Sequence, residues 1–387
     1  MRILLFDIDG VLVKPFGYRK AYFETCKWII DQGNLNINLP ADDIPALFES
    51  YGVTSEWDML SITASIMVDC VITKNQICIT SKSLSQALVA FASIEKQFVK
   101  IDFRENIQAL ASAFNIHEIP SIGVLVSSEN YFNGISKALL KDILQDTRSA
   151  ENTLMTRVFQ NYVLGSVTFE QTYPLSAQIH CDSYLRNFDT PLLSEQTKNK
   201  LIQQKESGKL LFAALTARPS LQPRDKQSDD NISYSPEAEF ALDVIGMPDM
   251  PLIGYGRLQF VEQLIGKSAD LLIKPAAFHA LAALFSLLGN SESLGLETAV
   301  KVLQEKRIPE WVRNDLPESL TICVFEDSQG GIRSVVSAAN QLRQMGINAE
   351  MRLYGITQNE DKKQTLQNLN AMIFPDINEA LKYEFNL

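Results

Sequence analysis

The residues from Arg2 to Phe6 form a short run that is apolar from Ile3 onward, and the run stops at a carboxylate, Asp7, followed by Ile8-Asp9-Gly10-Val11. A run this short, ending on an acid, reads as a buried parallel strand whose carboxyl end carries chemistry. The same pattern returns later. Leu210 to Leu215 ends at Thr216, residues 251–255 form a shorter run, 321–325 end at Glu326 and Asp327, and 349–354 follow a helical pattern. Helix-like spacing fills the intervals at 236–245, 276–288, 330–345 and 377–385. Strands alternating with helices predict an α/β fold, a doubly wound, Rossmann-like parallel sheet.

The stretch 14–189 interrupts this alternation. Its apolar residues recur at helical spacing in 18–30, 41–51, 55–72, 83–92, 106–114, 135–144 and 152–164, whereas 122–126 reads as a short strand. The expected organisation is therefore a catalytic core of 1–13 plus 190–387 with a mainly α-helical domain, 14–189, inserted into it. A length of 387 residues accommodates two such domains. Residues 220–235, rich in Ser, Asp and Gln, read as a mobile loop.

Composition narrows the partners. A formal net charge of −11 disfavours nucleic acid, whose binding draws on Lys and Arg, while leaving room for one phosphorylated small molecule. Cys26, Cys70, Cys78, Cys181 and Cys323 form no CxxC pair and read as reduced thiols. With no apolar stretch of membrane-spanning length and no signal-peptide pattern at the amino terminus, a cytoplasmic protein is expected.

The strand ends supply the candidate site. Asp7 and Asp9 stand at i and i+2 where the chain must turn, and Gly10 permits the turn. Thr216-Ala217-Arg218-Pro219 offers a hydroxyl and a backbone N–H to a phosphate oxygen, with helix capping as the competing reading. Lys274-Pro275 places a point charge between an apolar run and a helix. Glu326-Asp327-Ser328-Gln329-Gly330-Gly331 sets two acids before a helix, where Ser328 or Asp327 is alternatively a cap. Other motifs carry less. His180-Cys181-Asp182 has no second histidine nearby, Gly254-Tyr255-Gly256 lacks the third glycine of a dinucleotide fingerprint, and Ser55 with Asp58 resembles a capping box.

In this order, the four segments resemble the sequence motifs of the haloacid dehalogenase superfamily. That resemblance implies Asp7 as nucleophile, Asp9 as acid/base, and Thr216 and Lys274 as catalytic groups on the transferring phosphoryl. Gly10, Thr216, Ala217 and Lys274 are then the candidate phosphate-binding residues, with Mg2+ held by Asp7, Asp9, Glu326 and Asp327. The insertion occupies the position of a cap domain in that superfamily. The implied function is Mg2+-dependent hydrolysis of a small phosphorylated metabolite through an aspartyl phosphate. A phosphomutase or phosphotransferase acting on a sugar phosphate, and a non-catalytic binding protein on the same fold, are the alternatives. Arg19, Glu56 and Arg218 are candidate substrate contacts, with Arg218 equally open to a role in bracing the following loop.

Overall fold

The computed structural model describes residues 1–226, 233–315 and 320–385. Two compact units emerge, one formed by Met1–Pro15 with Phe188–Leu387 and the other by Phe16–Asn187.

The first unit is an α/β structure built on a six-stranded sheet. Its strands are β1 (Arg2–Phe6), β4 (Leu210–Leu215), β5 (Leu252–Ile253), β6 (Leu320–Glu326), β7 (Ala349–Ile356) and β8 (Met372–Phe374), while β2 (Val13–Lys14) and β3 (Thr190–Pro191) form a separate antiparallel pair. The spatial order is β5-β4-β1-β6-β7-β8 and every neighbour is parallel.

Alternation along the strands explains why both faces are covered. Ile3 and Leu5 of β1, with Ile322 and Val324 of β6, face a core shared with helices Ala277–Gly289, Glu292–Glu305 and Gln329–Gln344. Leu4 and Phe6, with Cys323 and Phe325, face a second core shared with Glu237–Val244 and Ile377–Phe385. On that second face Phe6 stacks on Phe325 at 4.9 Å between centroids, and Phe325 on Tyr354 at 4.7 Å, so the central strands are tied by an aromatic ladder. Helix Ala277–Gly289 is apolar on nearly every side, as its position beneath two further helices requires.

The second unit is helical. Its axis is Glu56–Asn75, buried almost continuously from Asp58 to Val68 and packed by Phe16–Gly33, Lys137–Leu144 and Leu154–Leu164. Among the described residues it holds no strand, only an isolated bridge between Ile37 and Val99. The strand expected at 122–126 is instead the helix Pro120–Val126. Its short apolar run does not separate the two states, and Pro120 at the first turn favours the helix.

Two other expectations change. Of the loop expected to be mobile, 227–232 lie outside the described residues. The part before them is anchored: Leu221 N–H donates to Glu239 at 3.2 Å, Arg224 N–H donates to Glu292 at 3.0 Å, and Arg224–Lys226 forms one 3-10 turn. The capping box at Ser55 does not form, since that hydroxyl makes no cap bond. Asp58 turns inward instead and accepts from Ser121 at 2.7 Å and Thr147 at 2.8 Å. Among the described residues, no helix is long and apolar enough to cross a membrane.

Candidate active site

Sheet register assembles the site. Phe6 is level with Ala214 on one side and Phe325 on the other, so Asp7 and Glu326 emerge side by side and Thr216 leaves β4 one step further on. Beyond Asp7 the chain curls tightly, as the two-acid motif requires. The Ile8 carbonyl accepts from Leu12 at 2.9 Å and Val13 at 3.0 Å, and Gly10 takes φ +74°, a conformation that favours glycine.

Asp7 is nearly buried, at 6% exposure. Its Oδ1 accepts from the Ile8 N–H at 2.8 Å, and its Oδ2 lies 2.8 Å from Lys274 Nζ. That ammonium also donates to Glu326 Oε1 at 2.6 Å and so bridges the two carboxylates. Burial pushes the Asp7 carboxyl well above its usual range, the Glu326 charge adds to this, and Lys274 opposes it. Burial acts against the charged form of Lys274, but Asp7 and Glu326 outweigh it and hold the amine above its ordinary value.

Asp327 completes the cluster. One carboxylate oxygen from each of Asp7, Glu326 and Asp327 can lie within 4.8 Å of the other two. Asp327 also pairs with Lys362 at 2.5 Å, a residue in the polar helix Glu360–Gln367 that sequence reading did not single out. The capping alternative for Ser328 fails. Its hydroxyl makes no cap bond and donates to Glu326 Oε2 at 2.8 Å. With Lys274 on its other oxygen, Glu326 is fixed at both ends.

The Asp9 carboxylate points to Arg218. Arg218 Nε lies 3.0 Å from each Asp9 oxygen, and its Nη2 donates to Oδ1 at 2.6 Å. The guanidinium is buried and also donates to Asp189 at 2.8 Å, so Arg218 links the second acid of the motif to the start of β3. Asp189 has no sequence signal of its own. Thr216 is buried at the end of β4, and its hydroxyl accepts from the Arg218 N–H at 3.2 Å. Ala217 is exposed between them. No helix begins at Thr216, so the capping reading of that segment does not apply.

Arg19 and Glu56 belong to the helical unit. Arg19 pairs with Glu49 at 2.5 Å, and Glu56 opens the central helix. His180-Cys181-Asp182 is structural in part, since the Cys181 carbonyl accepts from the Ser166 N–H at 2.9 Å.

No protein-family model matches the sequence, and comparison with curated proteins finds no match. Among solved structures, an X-ray structure from the Northeast Structural Genomics Consortium, target ZR25, is similar over 100% of this chain and 99% of that chain, with a TM-score of 0.63 at 15% identity. The phosphatase Tt82 from Thermococcus thioreducens is similar over 94% of this chain and 99% of that one, with a TM-score of 0.42 at 11% identity. The first likeness extends to fold and not to activity. The second is too distant to bear on either.

Proposed function

We propose that this chain is a Mg2+-dependent phosphohydrolase of the haloacid dehalogenase type, acting on a small phosphorylated metabolite. The observation that carries this reading is the Lys274 ammonium bridging Asp7 and Glu326, beside Asp327, at the carboxyl ends of parallel strands.

The donor set fits a hard divalent cation, which prefers carboxylate oxygens. A Cβ at Gly10 would meet Asp327 Oδ2 at 2.8 Å, so Asp327 lies against the very loop that carries the Asp9 carbonyl. Asp7, Asp327 and that carbonyl would hold the ion, with Glu326, already held by Lys274 and Ser328, contributing through water. Bound there, Mg2+ supplies charge that offsets repulsion between a carboxylate and a phosphate dianion.

Asp7 then attacks phosphorus as the bond to the leaving oxygen breaks, and Asp9 gives that oxygen a proton. In the second step Asp9 takes a proton from water, whose oxygen displaces the Asp7 carboxylate and releases phosphate. Lys274 and Thr216 hold the phosphoryl oxygens throughout, with Gly10 and Ala217 contributing backbone. Arg218 occupies both Asp9 oxygens as a donor, so one of them must turn away before it can carry the proton. We therefore assign Arg218 to holding Asp9 and Asp189, a part different from both the substrate contact and the loop brace expected of it. The helical unit is assigned the part of the substrate that differs between candidates, with Arg19 and Glu56 as contacts.

The test is a panel of phosphorylated metabolites and an aryl phosphate assayed with Mg2+ and with EDTA. Mg2+-dependent phosphate release supports the reading, and its absence across the panel sinks it. Product analysis separates hydrolysis from transfer to a sugar hydroxyl.

A further inference from the structure

Helix Ala277–Gly289 carries one titratable side chain in its apolar surface, His279, which is 0% exposed. Its Nδ1 accepts from the Lys274 backbone N–H at 3.0 Å. The ring proton therefore sits on Nε2, which faces the Ile253 carbonyl at 3.0 Å and donates to it. That same carbonyl accepts from the Thr216 N–H at 3.1 Å. A continuous frame results, in which Thr216 and His279 share the Ile253 oxygen and His279 holds the Lys274 backbone.

We infer that His279 is a positioning residue that fixes the spacing between Thr216 and Lys274, the two groups assigned to the transferring phosphoryl. This inference rests on the phosphohydrolase reading above. Three features support it. The two anchored residues lie on separate elements with no direct bond between them among those described. A neutral ring is needed to accept and donate at once, and burial, with Lys274 nearby, pushes the His279 pKa down to about 3. The frame also grips the backbone of Lys274, leaving its ammonium to Asp7 and Glu326.

The side-chain alternatives divide the frame. Leucine fills the space without either bond. Asparagine places an oxygen near the Nδ1 position and keeps the Lys274 arm, whereas glutamine places an N–H near Nε2 and keeps the Ile253 arm. The experiment measures kcat, KM and the Mg2+ concentration for half-activation with an aryl phosphate, in wild type, His279→Leu, His279→Asn and His279→Gln. Leu284→Ala on the same helix is the control for lost stability.

Misplacing a phosphoryl-holding group should act on the transition state, so His279→Leu is expected to lower kcat about ten- to a hundredfold. KM and Mg2+ half-activation should stay within about threefold. Asparagine or glutamine should recover part of kcat, and Leu284→Ala should lower Tm with kcat kept. Wild-type kcat in His279→Leu, or asparagine and glutamine variants no better than leucine, would overturn the inference and leave the phosphohydrolase reading standing. Should the leucine variant fail to fold, asparagine and glutamine carry the test, and wild-type kcat in both overturns the inference. A wild-type protein inactive with Mg2+ overturns both.

Discussion

Replacing Lys274 by methionine keeps most of the side-chain volume and deletes the charge between Asp7 and Glu326. The Lys274 side chain is 9% exposed, and the side chains of Asp7 and Glu326 are 7% and 0% exposed, so the variant leaves two acids facing each other with little water. Breaking a buried pair in this way costs about 3–5 kcal/mol, a large part of the roughly 5–15 kcal/mol that holds a domain folded. In EDTA at pH 7.5, that corresponds to a fall in Tm of about 6–20 °C. The loss should depend on pH with a defined sign. Asp7 in the folded state has its pKa raised, chiefly by burial and then by Glu326, and Lys274 is the opposing influence. A carboxyl raised on folding stabilises the native state below its unfolded pKa, and that contribution disappears as pH rises through the folded value. Removing Lys274 raises the folded value further, so the deficit should shrink on acidification from pH 7.5 to pH 5.5, in the direction that favours protonation of Asp7. Thermal and urea unfolding of both proteins at the two pH values measure it. A deficit below about 1 kcal/mol, within the range of an exposed pair, or one that is constant with pH, would refute the burial argument.

Four further outcomes are expected. Asp7→Asn keeps the shape and loses the proposed nucleophile, so Mg2+-dependent release of phosphate from an aryl phosphate should vanish once contaminating phosphatases are excluded. Asp327→Ala should weaken Mg2+ binding in calorimetry, whereas Lys362→Met, which removes a half-exposed competitor for Asp327, should tighten it about two- to fivefold; an unchanged isotherm in either breaks the metal assignment. His279 is held neutral down to about pH 3, so wild type should lose stability relative to His279→Gln by about 1.4 kcal/mol per pH unit as pH falls below 6.5 and the unfolded imidazole takes up a proton; parallel curves from urea titrations would rule this out. Arg19→Ala or Glu56→Ala should lower kcat/KM for the best metabolite about ten- to a hundredfold and spare a small aryl phosphate, and equal losses on both substrates would speak against selective contact.

The strand ends were legible because a buried parallel strand is uniformly apolar and its carboxyl end is where polarity resumes. That contrast located Asp7, Thr216 and Glu326, and parallel register then sets their neighbours. What escaped lacked any local contrast. Lys362 lies 35 residues beyond Asp327 in a helix of mixed charge, where one more lysine stands out from nothing. Asp189 acquires meaning only through Arg218, 29 residues away. His279 was hidden by its surroundings, since an apolar helix pattern marks the position as core without saying which backbone groups the ring will meet. Strand β8 is a three-residue edge element, too short to show alternation. The polar helix Glu195–Glu206 buries only Leu201, which leaves almost no apolar periodicity to read.

The charges show what the proposed phosphohydrolase reading would ask of the two lysines and of a metal. Asp7, Glu326 and Asp327 gather three carboxylates, and Lys274 and Lys362 answer with two ammonium groups. The balance stays negative, so a phosphate dianion would be repelled from Asp7 even with both lysines in place. A divalent ion held on Asp327, as proposed, would reverse the balance and compete with Lys362 for that carboxylate, while Lys274, locked between Asp7 and Glu326, would stay. The two lysines therefore divide by burial. On the proposed reading the enclosed one would hold the phosphoryl, and the half-exposed one pairs with the carboxylate that the ion would reach, where a weak, solvent-screened pair can be given up.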